Sequence, residues 1–247
     1  SSSGEATVVM SVTSTRSGAV RQKPFAWSFS RMKNFEVCPK RHYEIDLAKN
    51  YKEPEGEQLR WGNFVHKALA DRCGPSRTQL PSDLLAAMPY AEAWAAKVLG
   101  TGGDVYVEEG LAMSKEFTSV GNFDANVWLR VKCDFMRVVG DVALAVDWKT
   151  GKILEDSVQL ALTAAVIFAK FPQVKAVRST YVWLKDDCES SETFYKEDMP
   201  AMWRSIWHRI EAMETAHTHT NYPPTPSGMC RNWCAVTTCP HNGKGTR

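Results

Sequence analysis

The stretch from Val131 to Lys152, VKCDFMRVVGDVALAVDWKTGK, constrains the fold more than any other part of the chain. It reads as a hairpin. One strand closes on an acid, Asp134; Gly140-Asp141 reverses the chain; and an apolar strand, Val142 to Val146, delivers Asp147, Trp148 and Lys149. Side chains alternate along a strand, so Asp147 and Lys149 share a face while Asp134 reaches them from the neighbouring strand. Two carboxylates and an ammonium converge where they could meet a metal ion and a phosphate.

A hard divalent cation such as Mg²⁺ takes oxygen ligands, usually one or two carboxylates, and keeps its other positions for water and substrate phosphate. Asp134 and Asp147 suit that need. Lys149 adds a cation that can face the charge developing on phosphorus or orient the attacking water. A D-x-K triplet is common by itself, so its neighbours decide what it means.

The chain has 247 residues, 44% of them hydrophobic, enough for a substantial core. Its net charge of +2 means that any nucleic-acid surface must come from local clustering of charge. No apolar run is long enough to span a bilayer and the first residues, SSSGEAT, do not resemble a secretory leader, which together predict a cytoplasmic protein with no membrane partner. Seven cysteines, three of them between Cys230 and Cys239, suggest metal ligation in a reducing compartment.

Taken in order, residues 1–24 read as a flexible arm, 25–220 as the core and 221–247 as a Cys-rich tail. Ser28 or Ser30 can cap a helix carrying Met32 and Phe35 and, past Cys38-Pro39, Tyr43, Ile45 and Leu47. Its polar side carries Arg31, Lys33, Lys40 and Arg41, a stripe suited to a phosphate backbone. After a polar loop over 52–60, a helix over 61–70 should bury Trp61, Phe64, Val65, Ala68 and Leu69, leaving His66 outside that stripe with Gly62 one turn before it. Residues 83–99 read as one amphipathic helix around Leu84, Leu85, Trp94 and Val98, and 105–113 as a strand in which Glu108 or Glu109 could point toward Asp134. Alternation does not settle which of the two does so. A Ser157-capped helix over 158–169 is apolar nearly all round and therefore buried; its exception, Gln159, faces either the hairpin or its own first turn. Strands over 177–184 and 193–195 follow. The helix from Asp198 to Thr220 should bury Met199, Trp203, Ile206, Ile210 and Met213, and a Pro-rich extended loop leads to the tail. There, Cys230, Cys234 and Cys239 need one more ligand for a four-coordinate site, either Cys38 or His241.

His66, Asp134, Asp147-Trp148-Lys149, Gln159 and the cysteines, in this order, resemble the PD-(D/E)XK nuclease superfamily, and within it the RecB-type nucleases that carry an iron–sulfur cluster, including CRISPR-adaptation and AddB-like members. The resemblance implies an α/β, restriction-endonuclease-like core with a mixed central sheet flanked by helices. It makes His66, Asp134, Asp147 and the Trp148 carbonyl ligands of Mg²⁺ or Mn²⁺, Lys149 the catalytic lysine, and Gln159 the glutamine of a Q-x-x-x-Y motif. Cys38 with Cys230, Cys234 and Cys239 would hold a [4Fe–4S] cluster joining the two chain ends. The implied activity is exonucleolytic hydrolysis of DNA ends in recombination, repair or phage DNA processing, on single-stranded or end-bearing double-stranded DNA, with a helicase or recombinase partner, in the cytoplasm of a bacterial or phage-infected cell.

This sequence departs from that pattern in three ways. Thr163 replaces the motif's tyrosine. The cysteine spacing is x₃ then x₄ where x₂ is usual for the first gap, which leaves Zn²⁺ or an empty site open. No helicase motif accompanies the nuclease motifs. An endonuclease of the same fold, a DNA-end-binding module without turnover, and a zinc-finger tail that itself contacts DNA are the alternatives.

Overall fold

The computed structural model describes residues 22–154 and 156–243; most of the expected N-terminal arm lies outside them. A six-stranded sheet has the order β2-β1-β3-β4-β5-β6. Its strands are β1 (Asp104–Met113), β2 (Ser119–Val120), β3 (Leu129–Val139), β4 (Val142–Lys149), β5 (Ala176–Trp183) and β6 (Cys188–Tyr195). Every neighbouring pair is antiparallel except β4 and β5, which are parallel. A parallel pair cannot be joined by a tight turn. Helix α6 (Val158–Lys170) makes that crossover, and its nearly continuous apolar surface is buried on one face of the sheet. That face also carries α1 (Phe29–Val37) and α7 (Met199–His219), whose Met199, Trp203, Ile206, Ile210 and Met213 are buried as expected. The opposite face is covered by α3 (Glu57–Cys73), α4 (Ser82–Ala87) and α5 (Ala91–Leu99). The fold is thus the α/β arrangement expected, a mixed sheet between two helical layers.

Several boundaries differ from the sequence reading, each for a local reason. Cys38 is extended, φ −164° and ψ 109°, because the following proline disfavours helical geometry, so the first helix stops at Val37 and a short α2 (Pro39–His42) and a π-helical turn (Tyr43–Leu47) follow. Pro89 likewise divides the helix expected over 83–99 into α4 and α5, with Met88 at φ −135° and ψ 74°. Helix α3 begins four residues earlier than expected because its first turn, Glu57 to Arg60, is exposed, Leu59 included, and so carries no buried apolar stripe. Phe64 is exposed, and Cys73 belongs to the buried stripe in its place. Asp156, not Ser157, accepts the hydrogen bond at the start of α6, from the Val158 N–H at 3.2 Å.

Strand β3 runs on to Val139, so Asp134 lies inside it and not at its end. The β3–β4 ladder pairs Val139 with Val142 back to Phe135 with Val146 and stops there. Asp134 and Asp147 occupy the next level, where the strands diverge. Beyond the divergence the Trp27 backbone takes over the freed edge of β3: its N–H donates to Trp128 O at 2.8 Å and its carbonyl accepts from Arg130 N at 3.0 Å.

Candidate active site

The splayed end of the hairpin gathers groups from both faces of the sheet. Asp134 Oδ2 accepts from the Trp148 N–H at 2.9 Å, so a side chain replaces the missing rung of the ladder. That bond turns the buried Trp148 peptide into part of the site. His66 arrives on α3 from one face. Its Nδ1 lies 2.8 Å from Gly62 O and its Nε2 2.7 Å from Trp148 O. Carbonyl oxygens only accept, so both ring nitrogens donate and the imidazole is protonated. Asp134, 3.3 Å from Nε2, is the main cause, and the His66 pKa is pushed up to about 9. At Gly62 a Cβ would lie 3.4 Å from the Thr150 hydroxyl, ordinary contact distance, so the helix and the residue just after β4 are neighbours.

Gln159 arrives on α6 from the other face. Its Nε2 donates to Asp147 Oδ2 at 2.8 Å, and its Oε1 accepts from Lys149 Nζ at 3.3 Å and shares the single Tyr181 O–H, 3.2 Å away, with Asp156 O. It therefore faces the hairpin and does not cap its own turn. Lys149 Nζ also pairs with Asp147 Oδ1 at 3.1 Å. Burial raises the Asp147 pKa, opposed by Lys149 and reinforced by Asp134. Like-charged carboxylates in a dry site favour a bound cation or proton.

The ligand atoms of His66, Asp134 and Asp147 lie within 4.8 Å of one another, and among the described residues no other group of three or more His, Cys, Asp or Glu side chains is so close. Two ligands on one Mg²⁺, each roughly 2.1 Å from it, are at most about 4.2 Å apart, so a small inward shift suffices. The His66 proton now lies among Nε2, Trp148 O and Asp134 Oδ2, atoms that a divalent ion could take in its place. The residues present fit such an ion.

The structure separates the two glutamates left open by the sequence. Glu108 lines a cavity with His66 and Asp134 and pairs with Lys132. Its backbone is left-handed, φ 52°, which inverts the side-chain alternation of β1: Val107 packs toward α3, whereas Leu111, four residues on, packs toward α6. Strand β3 changes face at the same level, between Cys133 and Phe135. A period of two carried across this point fails, which is why alternation gave no answer.

Tyr181 was not identified from sequence. It lies opposite Asp147 in the parallel β4–β5 register, donates to Asp156 O at 2.8 Å, and places its ring 4.9 Å from Lys149 Nζ. A phenol is therefore present beside Gln159 although Thr163, whose hydroxyl donates back to Gln159 O at 2.9 Å, has replaced the motif's tyrosine. Only the pairing of two strands separated by a helix brings Tyr181 here, and no local pattern announces it.

The four basic residues expected to form a stripe are divided. Lys33 pairs with Asp156 beside α6 at 3.1 Å, whereas Lys40 pairs with Glu44 at 3.8 Å and Arg41 with Glu53. Lys40 and Arg41 border a second place, a small cavity lined by Cys38, Cys230, Cys234, Cys239 and His241. Cys38 Sγ accepts from Thr225 N and Cys230 Sγ from Ser227 N, both at 3.3 Å. The tail is fastened to the early helices by stacked Tyr43 and Tyr222 rings, centroids 4.8 Å apart, and by Tyr51 bonded to Thr238 at 2.7 Å. A tetrahedral Zn²⁺ with bonds of about 2.3 Å would hold its sulfurs roughly 3.8 Å apart. Among the described residues, no three of these cysteine and histidine ligand atoms lie within 4.8 Å of one another. Trp233, in the first cysteine gap, is turned out to solvent and 73% exposed.

The PD-(D/E)XK nuclease superfamily profile matches residues 26–240, and the chain belongs to that superfamily. Members are nucleases that use divalent metals. Curated protein sequences give no match. Among solved structures, a candidate exonuclease from Eubacterium rectale is similar over 92% of this chain and 93% of its own, at 10% identity and a TM-score of 0.48. SSO0001 is similar over 91% of this chain and 90% of its own, at 12% identity and a TM-score of 0.41. The family assignment rests on the profile. Among the described residues, no helix is long and apolar enough to cross a membrane.

Proposed function

We propose that this protein is a metal-dependent deoxyribonuclease that hydrolyses phosphodiester bonds at DNA ends. The observation that carries the proposal is the convergence of His66, Asp134 and Asp147 within 4.8 Å, with Lys149 bonded to Asp147 at their side. His66, Asp134, Asp147 and the Trp148 carbonyl would hold Mg²⁺ or Mn²⁺. Such an ion polarises the scissile phosphate and makes water a better nucleophile near neutral pH. Lys149, fixed by Asp147, Gln159 and the Tyr181 ring, places its ammonium where negative charge grows on the phosphate. Gln159 holds both members of that pair and orients them.

The cysteine-lined cavity supports a cluster as a second cofactor. Cys38, Cys230, Cys234 and Cys239 line it together, which offers the four thiolates that such a cluster takes. Bound there, it would act as a clip closing the long loop between Cys38 and the tail. Protein purified without oxygen should be brown with a broad visible absorbance that Cys38→Ala removes; a colourless protein with one zinc per chain contradicts the cluster.

The nuclease reading is tested with end-labelled linear DNA and closed circular DNA of the same sequence, incubated with Mg²⁺ or Mn²⁺ and protein or its Lys149→Ala variant. Shortening of linear DNA from its ends by the unaltered protein alone is the expected result. Nicking of the circle would make it an endonuclease, and equal background from both proteins would remove the enzyme altogether.

A further inference from the structure

A groove leads away from the site on the α1 and α6 side. Gln159 marks its inner end; Gly110, Asn122 and Arg130 line it farther along; and its volume is about 470 Å³. Sites for small organic ligands run from about 300 to 1,000 Å³, so it has room for about one or two nucleotide units of one strand and none for a duplex. Phe123, the residue after the lining residue Asn122, is 96% exposed. An exposed ring beside such a groove offers a π-face on which a base can stack.

The loop is fixed. Asp124 N donates to Gly121 O at 3.0 Å, closing a turn with Phe123 at its tip, and Val127 N donates to Asp124 O at 3.2 Å, closing the next. Arg130 Nε donates to Asn122 O at 3.1 Å, and the Asn122 amide lies over Gly110, where a Cβ would come within 3.1 Å of it. These contacts hold the backbone that carries Phe123 and leave its ring exposed. The groove's charge is suited to a phosphate backbone: among the described residues Arg130 makes no ion pair, and the only acid of the lining, Glu108, is neutralised by Lys132.

We infer that Phe123 is a base-stacking platform for unpaired nucleotides of the strand being cut, which lie along this groove between Arg130 and Gln159. The inference rests on the nuclease reading and narrows its substrate to DNA that is single-stranded at the site. Every base offers a π-face, so the contact is indifferent to sequence.

Binding is measured by fluorescence anisotropy with a short labelled single-stranded oligonucleotide and with its blunt duplex. Mg²⁺ is present, and all proteins carry Lys149→Ala so that the DNA survives. Adding Phe123→Ala should raise the single-strand Kd about five- to a hundredfold, the range for losing one stacked base. Phe123→Tyr, which keeps the ring, should stay within about twofold of its parent. Blunt-duplex affinity should not change. If Phe123→Ala binds the single strand as tightly as its parent, the platform is refuted while the nuclease reading stands. If the protein with Lys149 intact, assayed with Ca²⁺ in place of Mg²⁺, binds neither DNA, both fall.

Discussion

The two ends of the β3–β4 hairpin are built on opposite principles. At the closed end, from Val139–Val142 to Phe135–Val146, every level of the ladder is paired and the turn is reversed by Gly140 in a left-handed conformation, φ 58°. At the open end the ladder stops, a carboxylate takes the place of a carbonyl on the Trp148 N–H, and the Trp27 backbone closes the gap farther on. The closed end contributes register and apolar burial. The open end gives up regular pairing, and the space it frees admits a histidine from one helical layer and a glutamine from the other. A site that draws on both faces of a sheet needs such a break, because an intact sheet keeps its faces apart.

Substitutions at the two ends should therefore fail differently. The largest expected effect is at the open end: Asp147→Ala should lower the nuclease rate by about 10³-fold or more, with a melting temperature close to that of the unaltered protein. Asp134→Ala should lose activity to the same degree and also stability, about 1–3 kcal/mol by denaturant titration, because the Trp148 N–H is left without its acceptor. An Asp134→Ala protein as stable as its parent would break the claim that this carboxylate completes the ladder.

A smaller effect is expected one strand away. Tyr181→Phe keeps the ring beside Lys149 but removes the hydroxyl's bonds to Asp156 O and Gln159. A neutral hydrogen bond is worth about 0.5–1.5 kcal/mol, so steady-state kinetics should show kcat reduced roughly two- to tenfold. At the closed end, Gly140→Ala should cost about 1 kcal/mol because a Cβ is disfavoured at positive φ, and the cleavage rate per folded molecule should not change.

The smallest effect lies outside the hairpin and serves as its control. Burial raises the Asp46 pKa, but hydrogen bonds from His42 at 2.7 Å and Asn34 at 3.0 Å outweigh it, and the folded value falls below 3.8. Stability from a lowered carboxylate pKa is present above the unfolded value and lost as pH falls through the folded one. Asp46→Asn should flatten that part of the acid limb of the denaturation midpoint and leave the neutral pH activity alone.

The residues of the candidate site were more legible in the sequence than the architecture around them. Asp134, Asp147, Lys149, His66 and Gln159 were each placed by strand alternation, helical spacing or resemblance, and the structure brings all five together. Alternation failed at Glu108, where one left-handed residue inverts the faces of β1. Tyr181 was hidden because its position depends on a parallel pairing across α6, and strand partners are not written in local patterns. The helix breaks at Cys38-Pro39 and Met88-Pro89 were available from the prolines alone. Lys33 and Arg41 meet carboxylates farther along the chain, which helical spacing cannot foresee, whereas the Lys40–Glu44 pair follows from it.

Binding of Mn²⁺, followed by isothermal titration calorimetry in the absence of DNA, tests the open end most directly. The unaltered protein should bind the ion and release protons as it does so, and Asp134→Asn should weaken binding at least about tenfold, whereas Gly140→Ala should bind as the parent does. Equal affinity in Asp134→Asn and the unaltered protein would contradict the account, because the divergence of β3 and β4 would then have no part in holding the metal.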